Sequence, residues 1–190
     1  MGRHRKNDPE AVLDAAERVV LARGAAGLSI DAVAKEAGIA KSSVLYDYKS
    51  KGAVLEALIK RIIATENRKV EAAVAGTGAT GNPELFARIE VTANSVPSAD
   101  ERAVAIAISA AGSSDEAFQR NMRDWLSRDL VAIQEGTAKP FASLMAYLAL
   151  YGLWSIEYQG LRDFEQSERA AVLDGIKSIF ELIPEKPVQS

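Results

Sequence analysis

Apolar residues near the start of the chain recur at helical spacing. Val12, Leu13, Ala16 and Val20 fall on one face with polar residues between them, which predicts an amphipathic helix. Asp8-Pro9-Glu10 supplies an N-cap followed by a proline at the first helical position, and Gly24 closes the segment. Ser29 caps a second, short helix with Ile30, Val33 and Ala34 on its buried side, and Gly38 ends it. A third short helix is predicted over about 40–48. Ser50-Lys51 then opens a long fourth helix reaching about residue 75.

The stretch 76–81, Gly-Thr-Gly-Ala-Thr-Gly, is the one flexible, low-complexity segment of the interior. Asn82-Pro83 restarts a helix that Pro97 must close. Two capping boxes follow, Ser98-x-x-Glu101 and Ser113-x-x-Glu116, each at the head of an apolar or amphipathic run. Val104, Ile106 and Ile108 alternate as a strand would. The capping box and five alanines over 103–111 favour a buried helix instead. Helices over about 139–160 and 167–183 complete the chain, with no strand pair or repeat. The reading is all-α, with about nine helices.

Composition narrows the chemistry. Apolar residues make up 48% of the 190, enough to bury a sizeable core. There is no cysteine and the single histidine, His4, sits in a basic terminal arm, so thiolate and histidine metal sites and a histidine triad are excluded. No metal or cofactor is expected, and an enzyme is not. Residues 1–8 are polar and basic rather than secretory, and the longest uncharged stretch, 140–156, is shorter than the ~20 residues a membrane span needs. A cytoplasmic, soluble protein is expected. Net charge is −3, unevenly spread: residues 1–51 carry nine Lys or Arg against seven Asp or Glu, the remainder fourteen against nineteen. A positive end on an acidic body suits a module that binds a polyanion.

The two short helices around Glu36-Ala37-Gly38-Ile39 make a helix-turn-helix by spacing, with Gly38 permitting the turn and Ile39 plugging the core beneath it. Over residues 11–60 the sequence resembles the TetR family of transcriptional regulators. The resemblance rests on Val12-Leu13-Asp14-Ala15-Ala16, Arg23-Gly24, Leu28-Ser29-Ile30, Val33-Ala34, Ala37-Gly38-Ile39, and Ser50-Lys51 followed by Leu55 and Leu58. Two positions depart from the family pattern. Ala40 stands where a hydroxyl N-cap is usual, and Leu45 where a tyrosine is usual, with Tyr46 one residue later.

DNA reading needs an exposed helix face with donors and short side chains. With Val44 and Tyr48 as the buried pair, the opposite face presents Lys41, Ser42, Ser43 and Tyr46. Phosphates would be held by Ser29, by Lys51 and by Arg3, Arg5 and Lys6 of the arm. Taken singly, these residues read equally well as solvated surface; their place within the motif assigns the role.

The resemblance implies residues 1–50 as the DNA-binding domain and 51–190 as an effector-binding and dimerisation domain. It also implies a repressor released from a near-palindromic operator by a small molecule. Homodimerisation would use residues 139–183, where Phe141, Leu144, Met145, Leu148 and Gly152 form one stripe and Val172, Leu173, Ile176, Ile179, Phe180 and Ile183 another. The bland alternative is that both stripes are intramolecular core. Phe86, Phe118, Trp125, Trp154 and Tyr158, with Ile89 and Met122, could line a pocket for an apolar or aromatic effector, alongside Tyr147 and Tyr151. Arg88, Glu90 and Arg123 are charged candidates for orienting it. The competing reading is a helical ligand-binding or interaction protein that has lost operator binding, which Ala40 and Leu45 keep open. A helical-bundle enzyme stands third, without the Glu-x-x-His motif its metal would need.

Overall fold

A computed structural model describes residues 8–76, 78, 81–112 and 116–184. Among them are nine α-helices: α1 Pro9–Arg23, α2 Ile30–Ala37, α3 Lys41–Asp47, α4 Lys51–Gly76, α5 Pro83–Asn94, α6 Ala99–Gly112, α7 Glu116–Gln134, α8 Pro140–Tyr158 and α9 Gln166–Leu182. A single 3-10 turn, Ala25–Gly27, follows α1. No described residue lies in a strand. The basic arm with Arg3, Arg5 and Lys6, the serine of the second capping box, Ser113, and residues 77, 79 and 80 of the glycine-rich stretch lie outside the described residues.

The helix ends follow from local chemistry. Asp8 accepts the Glu10 N–H at 3.1 Å and Pro9 takes the first helical position of α1. Ser29 Oγ accepts the Ala32 N–H at the head of α2. At its end Gly38 adopts φ 66°, and the Gly38 and Ile39 N–H groups return to the carbonyls of Lys35 and Ala34. This Schellman closure is what a left-handed glycine allows without steric cost. Ala40, in contrast, gives α3 no side-chain cap.

The helices group into two compact units, Met1–Ile62 with Ala99–Met122, and Ile63–Ser98 with Arg123–Ser190. In the first, α1 packs on α2, α2 on α3, and α6 on α1 and the 3-10 turn. Its core gathers Val12, Ala16, Val19 and Val20 with Leu28, Val33, Val44, Val54, Leu58, Val104 and Ile108. The apparent strand pattern in α6 resolves here. Val104 and Ile108, four apart, are buried, whereas Ile106 is exposed, so the helix is amphipathic rather than buried all round.

In the second unit α8 packs on α9, and both pack on α5. The core holds Leu85, Ile89, Ile133, Ala146, Leu150, Leu153, Leu173, Ile176 and Phe180. Two polar knots are buried within it. Asn82 caps α5 at the Leu85 N–H and donates at 2.7 Å to both Ile133 O and Ser143 Oγ. Arg169 of α9 donates to both carboxylate oxygens of Glu157 on α8, and to the carbonyls of Thr92, Ala93 and Ser95 at the end of α5. One guanidinium thereby satisfies the carbonyls that a helix C-terminus leaves open and joins three helices.

Candidate nucleic-acid interface and effector site

The seven residues of α3 are divided by one buried contact. Val44 is fully enclosed, while Lys41, Ser42 and Tyr46 are exposed and Ser43 is half-buried. Tyr46 is the extreme case at 78% exposure, an unusual setting for a tyrosine ring on a well-packed helix. Leu45 is half-buried. Tyr48 was expected to pair with Val44 in the core. It instead lies half-buried just beyond the last turn, because α3 ends at Asp47, and its hydroxyl donates to Pro9 O at 3.4 Å. Burial, then the charges of Asp47 and Glu10, raise its phenol above the ordinary 10.0, with Arg61 opposing.

The charged residues around this helix have partners of their own. Lys41 Nζ sits 2.8 Å from Asp31 on α2, with both side chains well exposed. Such a pair contributes at most about 1 kcal/mol, so the ammonium can exchange Asp31 for a phosphate. Ser29 Oγ accepts a backbone N–H but retains its own proton to donate. Ser50 Oγ caps α4 by accepting the Ala53 N–H at 3.1 Å, and half-buried Lys51 follows as the first residue of that helix.

Lys49, which in the sequence reads as a solvated surface charge, has a structural role. Its ammonium closes the C-terminal end of α3, donating to the Leu45 and Tyr46 carbonyls at 3.0 and 2.8 Å, and lies 5.5 Å from the Tyr46 ring centre. A lysine just beyond the end of a short helix is the available signal for this role, since the carbonyl ends attract cations.

The residues proposed to surround an effector fall in both units. Phe118 and Met122 belong to the first unit, and Phe118 is buried against Gly112. Ile89 is enclosed in the core of the second unit, and Phe86 meets Phe180 edge-on at 5.5 Å. Trp125, Trp154 and Tyr158 do come together. Trp154 lies 6.2 Å from Trp125, 4.3 Å from Tyr158 and 5.8 Å from Tyr151, which continues to Tyr147 at 6.3 Å. The spacing along α8 is three or four residues per step, so the rings stack along one face of the helix. Trp125 Nε1 is buried without a hydrogen-bond partner among the described residues.

The polar foot of this ladder is Tyr147, whose hydroxyl donates to Asp129 at 3.1 Å. Asp129 also receives the Arg88 guanidinium at 2.9 Å, and Arg88 reaches Glu84 one turn away. Burial, the Asp129 charge and the hydrogen bond to it all hold the Tyr147 phenol far above its ordinary range, against Arg88. Arg88 is thus already committed to two carboxylates.

On α8 the packed face is Ala142, Ser143, Ala146, Tyr147, Leu150 and Leu153. The stripe singled out in the sequence is the other one. Met145 and Leu148 are 39% and 50% exposed, Phe141, Leu144 and Gly152 are half-buried, and beyond the helix's own backbone no described atom lies within 4 Å of a methyl placed on Gly152. The α9 stripe is mixed: Leu173, Ile176 and Phe180 are buried core, while Val172, Ile179 and Ile183 are half-buried at its edge. No described helix is long and apolar enough to cross a membrane, and no described group of three or more His, Cys, Asp or Glu could hold a metal ion.

Solved structures of similar fold span nearly the whole chain. SCO4454, a TetR-family transcriptional regulator from Streptomyces coelicolor, superposes with TM-score 0.73 at 15% identity, covering 91% of this chain and 88% of its own. A transcriptional regulator from Rhodococcus sp. Rha1 gives 0.69 at 17% identity, with 94% and 100% covered. The multidrug binding protein EbrR complexed with ethidium gives 0.62 at 21% identity, with 91% and 99% covered. No curated protein matches this chain in sequence. The family described as "Bacterial regulatory proteins, tetR family" matches residues 12–58. The family described as "Tetracyclin repressor-like, C-terminal domain" matches residues 84–181, more than half of the chain. With both halves of one architecture matched in order along an all-α chain, this protein belongs to the TetR family of transcriptional regulators.

Proposed function

We propose that this regulator is a repressor that binds a near-palindromic operator as a homodimer and leaves it when a small molecule binds. The observation that carries the DNA reading is the divided surface of α3, with Val44 holding one side and Ser42 and Tyr46 fully offered on the other. In this reading Lys41, Ser42, Ser43 and Tyr46 enter the major groove, while Ser29 and Lys51 hold phosphates. Residues 1–50 do the reading and residues 51–190 bind the effector and dimerise, acting on DNA in the cytoplasm.

The effector is a flat, aromatic or apolar molecule. The Tyr147–Tyr151–Trp154–Tyr158 ladder with Trp125 supports this, since stacked rings favour a planar partner, and the unpaired Trp125 N–H suits an acceptor on it. The ethidium bound to EbrR is a molecule of this kind. Binding must favour one arrangement of the reading helices over another, with a coupling of ~1–3 kcal/mol that acts equally in both directions. Operator DNA therefore weakens effector binding by the factor by which effector weakens operator binding.

The test is a duplex selected by the protein from a random pool, titrated at several salt concentrations. Lys51→Ala should weaken binding to every sequence and flatten the salt dependence by about one unit of slope. Ser42 and Ser43 substitutions should change the preferred base pairs instead. A Lys51→Ala protein with altered base preference and intact affinity would reverse the assignment. Failure of the wild type to select any sequence would favour the helical binding protein that the uncapped Ala40 leaves open.

A further inference from the structure

The buried residues of α4 all lie near its beginning. Val54, Leu55, Leu58 and Ile59 are its buried residues, and no later residue of the helix joins them although it continues to Gly76. Arg61 stands at the end of this anchored stretch, one turn beyond Leu58. Its guanidinium is turned onto α1, where Glu10, Asp14 and Glu17 line one face at steps of four and three residues. Nη1 lies 2.6 Å from Asp14 Oδ1 and 3.5 Å from Glu10 Oε2, and Nη2 hydrogen-bonds Glu17. The Arg61 side chain is 20% exposed, whereas the three acids are 42–68% exposed.

We infer that Arg61 is a positioning residue for operator binding: its fork on Asp14 and Glu17 fixes the rotation and tilt of α4 against the helix-turn-helix unit. The inference rests on the operator reading above and adds the residue that makes the coupling mechanical. The apolar contacts of α4 drive burial without direction and set the helix angle only through shape. A planar fork with two donors on carboxylates one turn apart fixes both the angle and the register. The clamp joins no buried charges on the α1 side, so its loss should loosen the angle without unfolding the unit.

In the proposed two-fold dimer a change in the angle of α4 to α1 would move the recognition helices, so the clamp's expected readout is tolerance of half-site spacing. The experiment compares the wild type with Arg61→Met, Arg61→Lys and the double variant Asp14→Asn with Glu17→Gln. Each is titrated on the selected operator and on duplexes with one base pair added or removed between the half-sites. The wild type should lose affinity steeply on the altered spacings. In Arg61→Met and the acid-side double variant this discrimination should shrink at least about fivefold, mainly through weaker binding to the selected spacing. Arg61→Lys keeps one contact and should fall between. Variants that stay folded by circular dichroism yet keep the wild-type spacing ratio, or lose affinity equally on all three duplexes, would overturn the inference. A wild type indifferent to spacing would instead remove the dimeric operator reading itself, and with it this role.

Discussion

Arg169 takes a positive charge into the second unit and commits all three of its guanidinium nitrogens, to Glu157 and to three carbonyls at the end of α5. Both side chains of the pair are under a tenth exposed, so removing one leaves the other charged and without water. Arg169→Met should therefore cost on the order of 3–5 kcal/mol, measured by denaturant unfolding, and Arg169→Met with Glu157→Leu should recover a large part. Equal stability of the single and double variants would show that lost carbonyl contacts, not the stranded carboxylate, dominate. Tyr147 makes a prediction in pH. Its folded-state phenol is raised, so its contribution is intact below the unfolded value near 10.0 and is lost as the pH climbs beyond it, because only the unfolded chain then releases the proton. Stability should decline above about pH 10, and Tyr147→Phe should flatten that decline. An unchanged alkaline slope in the Phe variant would contradict the burial of this phenol.

At the scale of elements, the helix-turn-helix depends on one backbone conformation and one buried side chain. Gly38 holds φ 66° with open space where a Cβ would stand, so Gly38→Ala meets no neighbour and pays only for the left-handed backbone. The expected loss is about 1–2 kcal/mol by thermal unfolding. A neutral result would mean the turn relaxes into another closure. Helix ends were legible in the sequence to within a residue or two, because capping is local: Asp8-Pro9, Ser29, Gly38 and Asn82-Pro83 each act on atoms within a turn. Faces were less legible. Tyr48 fell outside α3 because the helix stopped one residue sooner, and Ile106 is exposed while Val104 and Ile108, on the opposite side of α6, are buried. Lys49 reads as a solvated surface charge until the carbonyls it reaches are seen.

For the whole molecule, the decisive surface is the stripe of Met145, Leu148 and Gly152 on α8, which the packing of one chain leaves open. In the proposed dimer this stripe meets its copy across a two-fold axis. Gly152→Arg should then yield monomers or aggregates and abolish binding to a full operator, while the wild type sediments as a dimer at micromolar concentration. A wild-type monomer under those conditions would end the proposal.

By itself the amino-acid order determined what short-range physics controls. Helical periodicity, caps, left-handed glycines and the small exposed side chains of α3 all act over a few residues, and they were enough for the all-α class and the helix-turn-helix. Tertiary structure alone decided the long-range matches. Asp14 finds Arg61 and Glu157 finds Arg169 only once helices are packed. Of seven candidate effector residues it assembled Trp125, Trp154 and Tyr158 into one ladder and sent Ile89 to the core. An aromatic or charged side chain carries the same local signal whether it faces a neighbour, a ligand or water. Which of these it meets is set by the helices brought beside it, and those lie a dozen to several tens of residues away along the chain.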